Sequence, residues 1–485
     1  MGVSLNPATI LSGQGINVAS LVQAILTSQS TGPLSVWQGQ ETSLSTQNGL
    51  LAGIENNLTN LQTAVAALSD PTGALTAQDA ASSQPAVLTA TADSTAIAGT
   101  HTLEVNNLAT VGTLYTNAIA AGANTSFLAS GQTTGDLQLQ VGGSAVTPFD
   151  IPITQGSNDT LTTLASYINT QSTANNWGVT ASVVSDTSGS RLSLQSQNTG
   201  TTGALAISSN TNTTLTFATP AGGTNASLTV DGVPFSSATN TVTGAIQGVT
   251  LSLVSQSPGN PVQLSVGPDQ NQITAAVNNF ISAYNTVITT NNQQYTVDPT
   301  GTTPAPPLES DPSLRSVQSS ILADAGFAIT GNSGYVNLES LGINTNNDGT
   351  LTMGTNAEGL SFAQVLAANP SAVVNFFQNA SGTGFANNFN ADLNNITNAT
   401  SGPLNAEVTQ NSAEQQDLTT TINNFEVQLT AQSAQLTTQY DAVNASLQAY
   451  PLLLQEVTET LGTLGSGTST TGALIQSQPT LTSGL

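Results

Sequence analysis

Apolar residues recur at helical steps at both ends of the chain and alternate with polar residues in between. Val18, Leu21, Val22, Ile25 and Leu26 follow three- and four-residue spacing, which predicts an amphipathic helix. Asn17 stands where an N-cap belongs, and Gly32-Pro33 is expected to interrupt the helix. A second helix is predicted from Leu44, Leu51, Ile54, Leu58, Leu61, Val65 and Leu68, whose steps of 7, 3, 4, 3, 4 and 3 make a coiled-coil seam. Asp70-Pro71-Thr72-Gly73 reads as its stop.

From about residue 80 the period becomes two. Val87–Ala92, Thr102–Val105, Leu137–Val141, Val179–Val184 and Arg191–Gln195 read as strands. Gly99, Gly142-Gly143, Ser188-Gly189, Asp231-Gly232 and Ser257-Pro258-Gly259 read as turns. A short helix over Thr160–Thr170 carries Leu161, Leu164, Tyr167 and Ile168. Helical spacing returns at Ile273, Val277, Phe280, Ile281, Tyr284, Val287 and Ile288, and a Pro/Thr/Gly loop covers 298–307. The last long helix is predicted from Leu418, Ile422, Phe425, Leu429, Leu436, Tyr440, Val443, Leu447, Tyr450 and Leu454. At 1.5 Å per residue it spans roughly 55 Å, with a kink expected at Pro451. The Gly/Ser/Thr-rich tail after Gly462 predicts a mobile end.

This order predicts an α+β multidomain chain, in which terminal coiled-coil-type helices pack together and carry β-rich subdomains between them. The expected segments are a terminal leg (1–40) pairing with the C-terminus, a helix (41–78) and the first part of a β subdomain (79–112). An inserted β-rich subdomain (113–225) and the second part of the first (226–269) follow. A helical and mixed domain (270–417), a C-terminal leg (418–461) and a flexible tail (462–485) complete the chain. Two apolar seams need partners. They either close on each other within one chain or bury against other subunits. Leu44, Leu51, Ile54, Leu58, Leu61 and Val65 on one seam, with Leu418, Ile422, Phe425, Leu429, Leu436, Tyr440, Val443 and Leu447 on the other, are the candidate self-assembly and partner contacts.

Charge narrows the function. The 485 residues include 27 acids, the two basic residues Arg191 and Arg315, and no lysine, for a net charge of -25. Binding to nucleic acid phosphates needs Lys and Arg, and so does binding to an anionic membrane surface. Neither partner is expected. No cysteine occurs, so thiolate metal sites, thiol catalysis and disulfides are excluded. No apolar run is long enough to span a membrane, and Met1–Gln14 has no basic start or apolar core of a secretory signal peptide. In acid, protonated carboxylates bring such a chain toward neutrality, and assembly is expected to persist at about pH 3 to 4.

Catalytic chemistry finds little support. The single histidine, His101, lies in a strand-like stretch and reads as an incidental strand residue. Asn344–Gly349 resembles the start of a calcium loop, but loop position twelve falls on Thr355 instead of an acid. The segment therefore reads as an Asp-Gly turn. Trp37 and Trp177 read as packed within their own domains or as partner contacts. No cofactor, no metal and no enzymatic activity are expected.

Several segments then match in order. They are Ser12–Val18 with Leu21-Val22, Leu50–Pro71, Ala81–Ala92 through Gly99 to Ala109, Leu161–Asn169 with Gly178–Ala181, and Phe280–Asn285. Leu308–Asp311, Leu341–Ile343 and Asp348–Leu351 follow. Together they resemble the flagellar filament cap family, flagellar hook-associated protein 2 (FliD). The chain differs from that pattern in having no basic residue in its terminal helices. The resemblance implies a homo-oligomer, a pentamer-like ring, at the distal tip of an extracellular bacterial flagellum, exported without a cleaved signal peptide. It implies retention of exported flagellin and promotion of its folding and insertion. Its expected partners are flagellin, hook-filament junction proteins and an export chaperone. Flagellin itself, a junction protein and a surface adhesin are the competing readings.

Overall fold

The structure is a computed structural model describing residues 16–142, 146–219, 221–296, 298–379 and 381–465. Two compact units emerge. One takes the described residues up to Leu58, Thr290–Gln318 and those from Asn395 on, and the other takes Thr59–Thr289 and Ser319–Asn394.

Helix α1 runs unbroken from Val18 to Ser69. The Asn17 side chain caps it, its Oδ1 accepting the Ser20 N–H at 3.0 Å. The expected break at Gly32-Pro33 is absent, because Pro33 lies inside the helix. Proline removes one backbone bond, to the carbonyl of Gln29. Gln29 is exposed, so water can satisfy that oxygen. Nearby hydroxyls brace the same turns, Thr31 Oγ1 donating to the Thr27 carbonyl at 2.6 Å and Ser35 Oγ to the Gly32 carbonyl at 2.8 Å.

Strands β1 (Gln78–Ser82), β2 (Leu88–Ala92) and β3 (Gly99–Asn107) follow. Next come β4 (Val111–Tyr115), β5 (Thr134–Val141), β6 (Phe149–Thr154), helix α2 (Leu161–Asn175), β7 (Val179–Asp186), β8 (Gly189–Thr199) and β9 (Leu205–Thr211). The chain then returns through β10 (Ala226–Val230), β11 (Val233–Ser237), β12 (Thr241–Ile246), β13 (Val249–Leu253) and β14 (Val262–Pro268).

A five-stranded sheet in the order β1-β14-β3-β10-β11 and a three-stranded sheet β12-β13-β2 share one core. Leu88, Leu103, Leu228, Leu251 and Leu264 fill it from both sheets, as the alternation of inward apolar positions requires. Sheets β4-β8-β7 and β6-β5-β9 and helix α2 enclose a second core around Phe127, Leu139, Leu164, Leu194 and Trp177. All these strand pairings are antiparallel. Thr160 caps α2 through a reciprocal bond with Thr163, and Asn176 ends it in the left-handed region.

The strands feeding the second core leave the first at a tight crossing. There Thr110 N–H donates to the Thr224 carbonyl at 2.9 Å, and Gly200 N–H to the Thr110 carbonyl at 2.9 Å. A Cβ on Gly203 would stand 1.9 Å from the Asn198 carbonyl oxygen, and one on Gly223 2.2 Å from the Gly200 oxygen. Only glycine lets these backbones approach so closely.

Helix α3 (Gln270–Gln294) begins the return to helical structure. It is followed by α4 (Pro312–Ala325), the hairpin β15 (Ile343–Thr345) and β16 (Leu351–Met353), and helices α5 (Phe362–Ala368), α6 (Pro370–Phe377) and α7 (Phe385–Ile396). Phe385 is the hub of an aromatic core, its ring 5.5 Å from Phe280, 5.3 Å from Phe376 and 5.6 Å from Phe389. Offset and edge-on ring pairs of this kind add to area burial.

Helix α8 runs from Pro403 to Gly465. It therefore starts well before the first seam residue, Leu418. Pro403 suits a first helical position, where its missing N–H costs nothing. The helix continues through Pro451. The expected flexible tail from 462 is helical as far as Gly465, and its remainder lies outside the described residues.

Candidate assembly surface

Helices α1 and α8 run antiparallel within the first unit, and their contacts keep one register. Ile16 N–H donates to Asn444 Oδ1 at 2.7 Å. Trp37 meets Phe425 edge-on at 5.3 Å. Thr419 Oγ1 donates to Glu41 Oε1 at 3.2 Å, and Asn405 Nδ2 donates to Glu55 Oε1. Each step forward on α1 matches a step back on α8. With no lysine anywhere and no arginine in either helix, the pair is held by amide, hydroxyl and aromatic contacts in place of ion pairs. Net gains of about 0.5–1.5 kcal/mol per such bond make the apolar stripe the main adhesive.

The seam residues divide by burial. Leu51, Ile54, Leu58, Leu61, Val65 and Leu68 are fully buried by the chain itself. Any part they take in contact with another molecule is through the shape of the helix they anchor. Leu44, Leu418, Ile422, Phe425, Leu429, Leu436, Tyr440 and Leu447 are half-buried, and Val443 is exposed. Beyond the Ile16–Asn444 contact the stripe continues at the same spacing through Tyr450, Leu454, Val457 and Leu461, all exposed. Leu452 and Leu453 flank it, also exposed. Large contiguous apolar exposure marks an interaction surface. The notch between Val22, Leu26, Leu429 and Ala434 forms a further open groove between the two helices.

The remaining candidates are structural by position. Trp177 is buried and stacks on Phe149 at 4.8 Å. Asn344–Gly349 forms the β15–β16 hairpin, in which Asp348 Oδ1 accepts from Thr350 N–H at 3.0 Å and Thr350 Oγ1 at 2.6 Å. The same Asp-x-Thr turn recurs at Asp70, Asp93 and Asp298. In each, hydrogen bonds from threonine hold the carboxyl below its ordinary range. Threonines and backbone N–H groups thus satisfy acids that have almost no cations to meet. No cluster of three or more potential metal ligands occurs among the described residues. No described helix is long and apolar enough to cross a membrane.

His101 does more than fill a strand. Its Nδ1 lies 2.8 Å from Asp231 Oδ2, and Asp231 Oδ1 accepts the Thr102 N–H at 2.8 Å. These bonds, the histidine's first, hold the Asp231 carboxyl below its usual range. The pair closes one end of an apolar cleft of about 550 Å³ rimmed by Ile97, Val233, Phe235 and Ile246. Sequence reading missed it because the partners stand 130 residues apart. The Asp231-Gly232 turn, with both residues at positive φ, is what returns Asp231 beside β3.

Long antiparallel terminal helices, with β-rich domains between them in sequence and an exposed apolar stripe on α8, are the features of a structural, assembling protein. Comparison with known proteins makes this specific. The profile of the flagellar hook-associated protein 2 N-terminus matches residues 14–111, and that of its C-terminus matches residues 223–450. The flagellin hook IN motif matches residues 136–198 between them. The chain belongs to the flagellar hook-associated protein 2 family, the filament cap proteins. It is 28% identical over 458 residues to the B-type flagellar hook-associated protein 2 of Pseudomonas aeruginosa, covering 89% of this chain and 93% of that one. It is 33% identical over 184 residues to the polar flagellar hook-associated protein 2 of Vibrio parahaemolyticus, covering 37% and 26% of the two chains. The D1-D2-D3 domains of the flagellar cap protein FliD from Escherichia coli superpose with a TM-score of 0.57 at 25% identity, over 75% of this chain and 99% of that structure.

Proposed function

We propose that this protein sits as a homo-oligomeric, pentamer-like ring on the distal tip of the bacterial flagellar filament, outside the cell. There it retains exported flagellin and promotes its folding and insertion as the filament elongates. The observation that carries this reading is the α1–α8 pair. Its half-buried seam ends in the exposed stripe Tyr450, Leu454, Val457 and Leu461. A stripe of this kind gains by burial against a neighbour, at about 25 cal/mol per Å² of apolar surface. Leu44, Leu418, Ile422, Phe425, Leu429, Leu436, Tyr440, Val443 and Leu447 belong to the same proposed contact surface. The segment boundaries at residues 40, 78, 112, 225, 269, 417 and 461 belong to the proposal too. The helical segments act as legs and the β-rich segments as the part that meets incoming flagellin. Hook-filament junction proteins and an export chaperone are the further partners. The work is mechanical, and no covalent step is involved.

Deletion and complementation test it. A strain without the protein should shed unfolded flagellin into the medium and grow no filaments, and the intact gene should restore both. Filaments of normal length in the deletion strain overturn the proposal.

A further inference from the structure

Two places in the helical part of the fold bring carboxyl groups together where no cation answers them. On α4, Asp324 points one oxygen, Oδ2, into the protein, where it is buried and meets no hydrogen-bond donor among the described residues. The side chain within hydrogen-bonding reach is another carboxyl, that of Asp392 on α7. Tyr284 on α3 is the other titratable group facing it, and its hydroxyl is likewise buried without a partner. At the start of α4, Asp311 caps the helix with one oxygen, Oδ1 accepting the Leu314 N–H at 3.0 Å. Its Oδ2 is buried without a donor, and so is Oε2 of Glu407 on α8; the Glu407 carboxyl as a whole is near Asp311 and the Ser313 hydroxyl. Tyr295 also faces Asp311, and Arg315 faces Tyr295. The Arg315 guanidinium donates to the Glu309 carbonyl at 2.8 Å and lies over the Tyr295 ring, 5.7 Å from its centre.

An ionised carboxylate only accepts hydrogen bonds. Two of them in contact, partly out of water, repel and leave buried lone pairs empty. One proton between them supplies the missing donor and removes one charge. We propose that Asp324–Asp392 holds one shared proton at neutral pH and that Glu407, beside Asp311, takes up its proton above the ordinary carboxylate range, making the helical part of the fold a pH-sensitive element that is firm in acid and loosens in alkali. In a chain with 27 acids and two arginines, the proton takes the place that lysine would otherwise fill.

Electrostatics agrees with the geometry. Burial first, and then Asp392, push the Asp324 carboxyl up to about 8. Burial and then Asp311 raise Glu407, against a smaller lowering by Ser313. The sign follows from linkage. A carboxyl raised in the folded state takes up a proton on folding between its unfolded and folded values. Its stabilisation is complete below the ordinary carboxylate range and is lost as pH rises toward about 8 for Asp324. Within that window each pair changes the folding constant by up to about tenfold per pH unit.

Urea unfolding of the full chain at pH 5, 7 and 9 tests this, with the wild type, Asp324→Asn, Glu407→Gln and the double variant. The neutral amides keep the shape and supply a fixed donor. The wild-type midpoint is expected to fall from pH 5 to pH 9. Each amide variant should raise the midpoint at pH 9, and the double variant should flatten the slope. A wild-type midpoint that does not change with pH overturns the proposal, as do variants that lower the midpoint equally at every pH. Infrared spectra of the wild type at pH 7 give a second readout that needs no variant to fold. A protonated carboxyl C=O stretch supports the shared proton, and its absence contradicts it.

Discussion

Leu454 and Leu461 offer a sharp separation of assembly from folding. They are 53% and 64% exposed on α8, so neither contributes much to the stability of a single chain. Fully burying a leucine stabilises by about 1.5–3 kcal/mol, and with half or more of each still open, a neighbour gains about 1 kcal/mol from each. Replacing both with alanine should weaken each subunit contact by about 2 kcal/mol, roughly thirtyfold in dissociation constant. Alanine is the best helix former, so α8 itself is not weakened. Sedimentation velocity over a concentration series reads the association, and thermal unfolding followed by circular dichroism reads the fold. The account predicts a shift toward monomer with an unchanged melting temperature. Unchanged association would remove the stripe from the contact surface. A large drop in melting temperature would mean that the two leucines are core residues.

Three further outcomes follow from the geometry. Phe385→Ala removes the hub of the aromatic core and should cost about 3–5 kcal/mol in urea unfolding, whereas Val233→Ala on the open rim of the cleft should stay within about 0.5 kcal/mol. Gly203→Ala drives a methyl into the Asn198 carbonyl and should lower the melting temperature by several degrees, at about 1–3 kcal/mol, while Gly99→Ala, with open space around it, should not. The Asp231 carboxyl, held low by His101, should titrate closer to its ordinary range in His101→Gln when followed by NMR. The stabilisation from that bond is present above the ordinary carboxylate range and is lost as pH falls through the lowered value.

Periodicity carried the reading of the fold furthest. Leu51, Ile54, Leu58, Leu61, Val65 and Leu68 were expected on one stripe, and all six are buried. Period-two alternation located the main strands to within a few residues. Local signals were legible too, since the Asn17 cap and the Asp231-Gly232 turn act through neighbours in sequence. The errors came where a local signal competed with tertiary support. Gly32-Pro33 reads as a stop, but only one backbone bond is lost there and the Thr31 and Ser35 hydroxyls brace the same turns. The first turns of α8, from Pro403 to Asp417, carry too few apolar residues to show a stripe and become helical within the unit that holds them. Contacts between distant segments, such as His101 with Asp231 and Asp324 with Asp392, left no sequence signal. For the assembly surface, spacing showed which residues share a face. It did not show that the lower part of that face is closed by the chain's own helices while the part beyond Leu447 stays open.

The central claim is the location at the filament tip. Immunogold electron microscopy of intact flagella, with antibody against residues 113–225, tests it most directly. The account predicts label confined to the distal end of each filament. Label along the shaft, as for a flagellin or a decorating adhesin, or label at the hook junction, would contradict it.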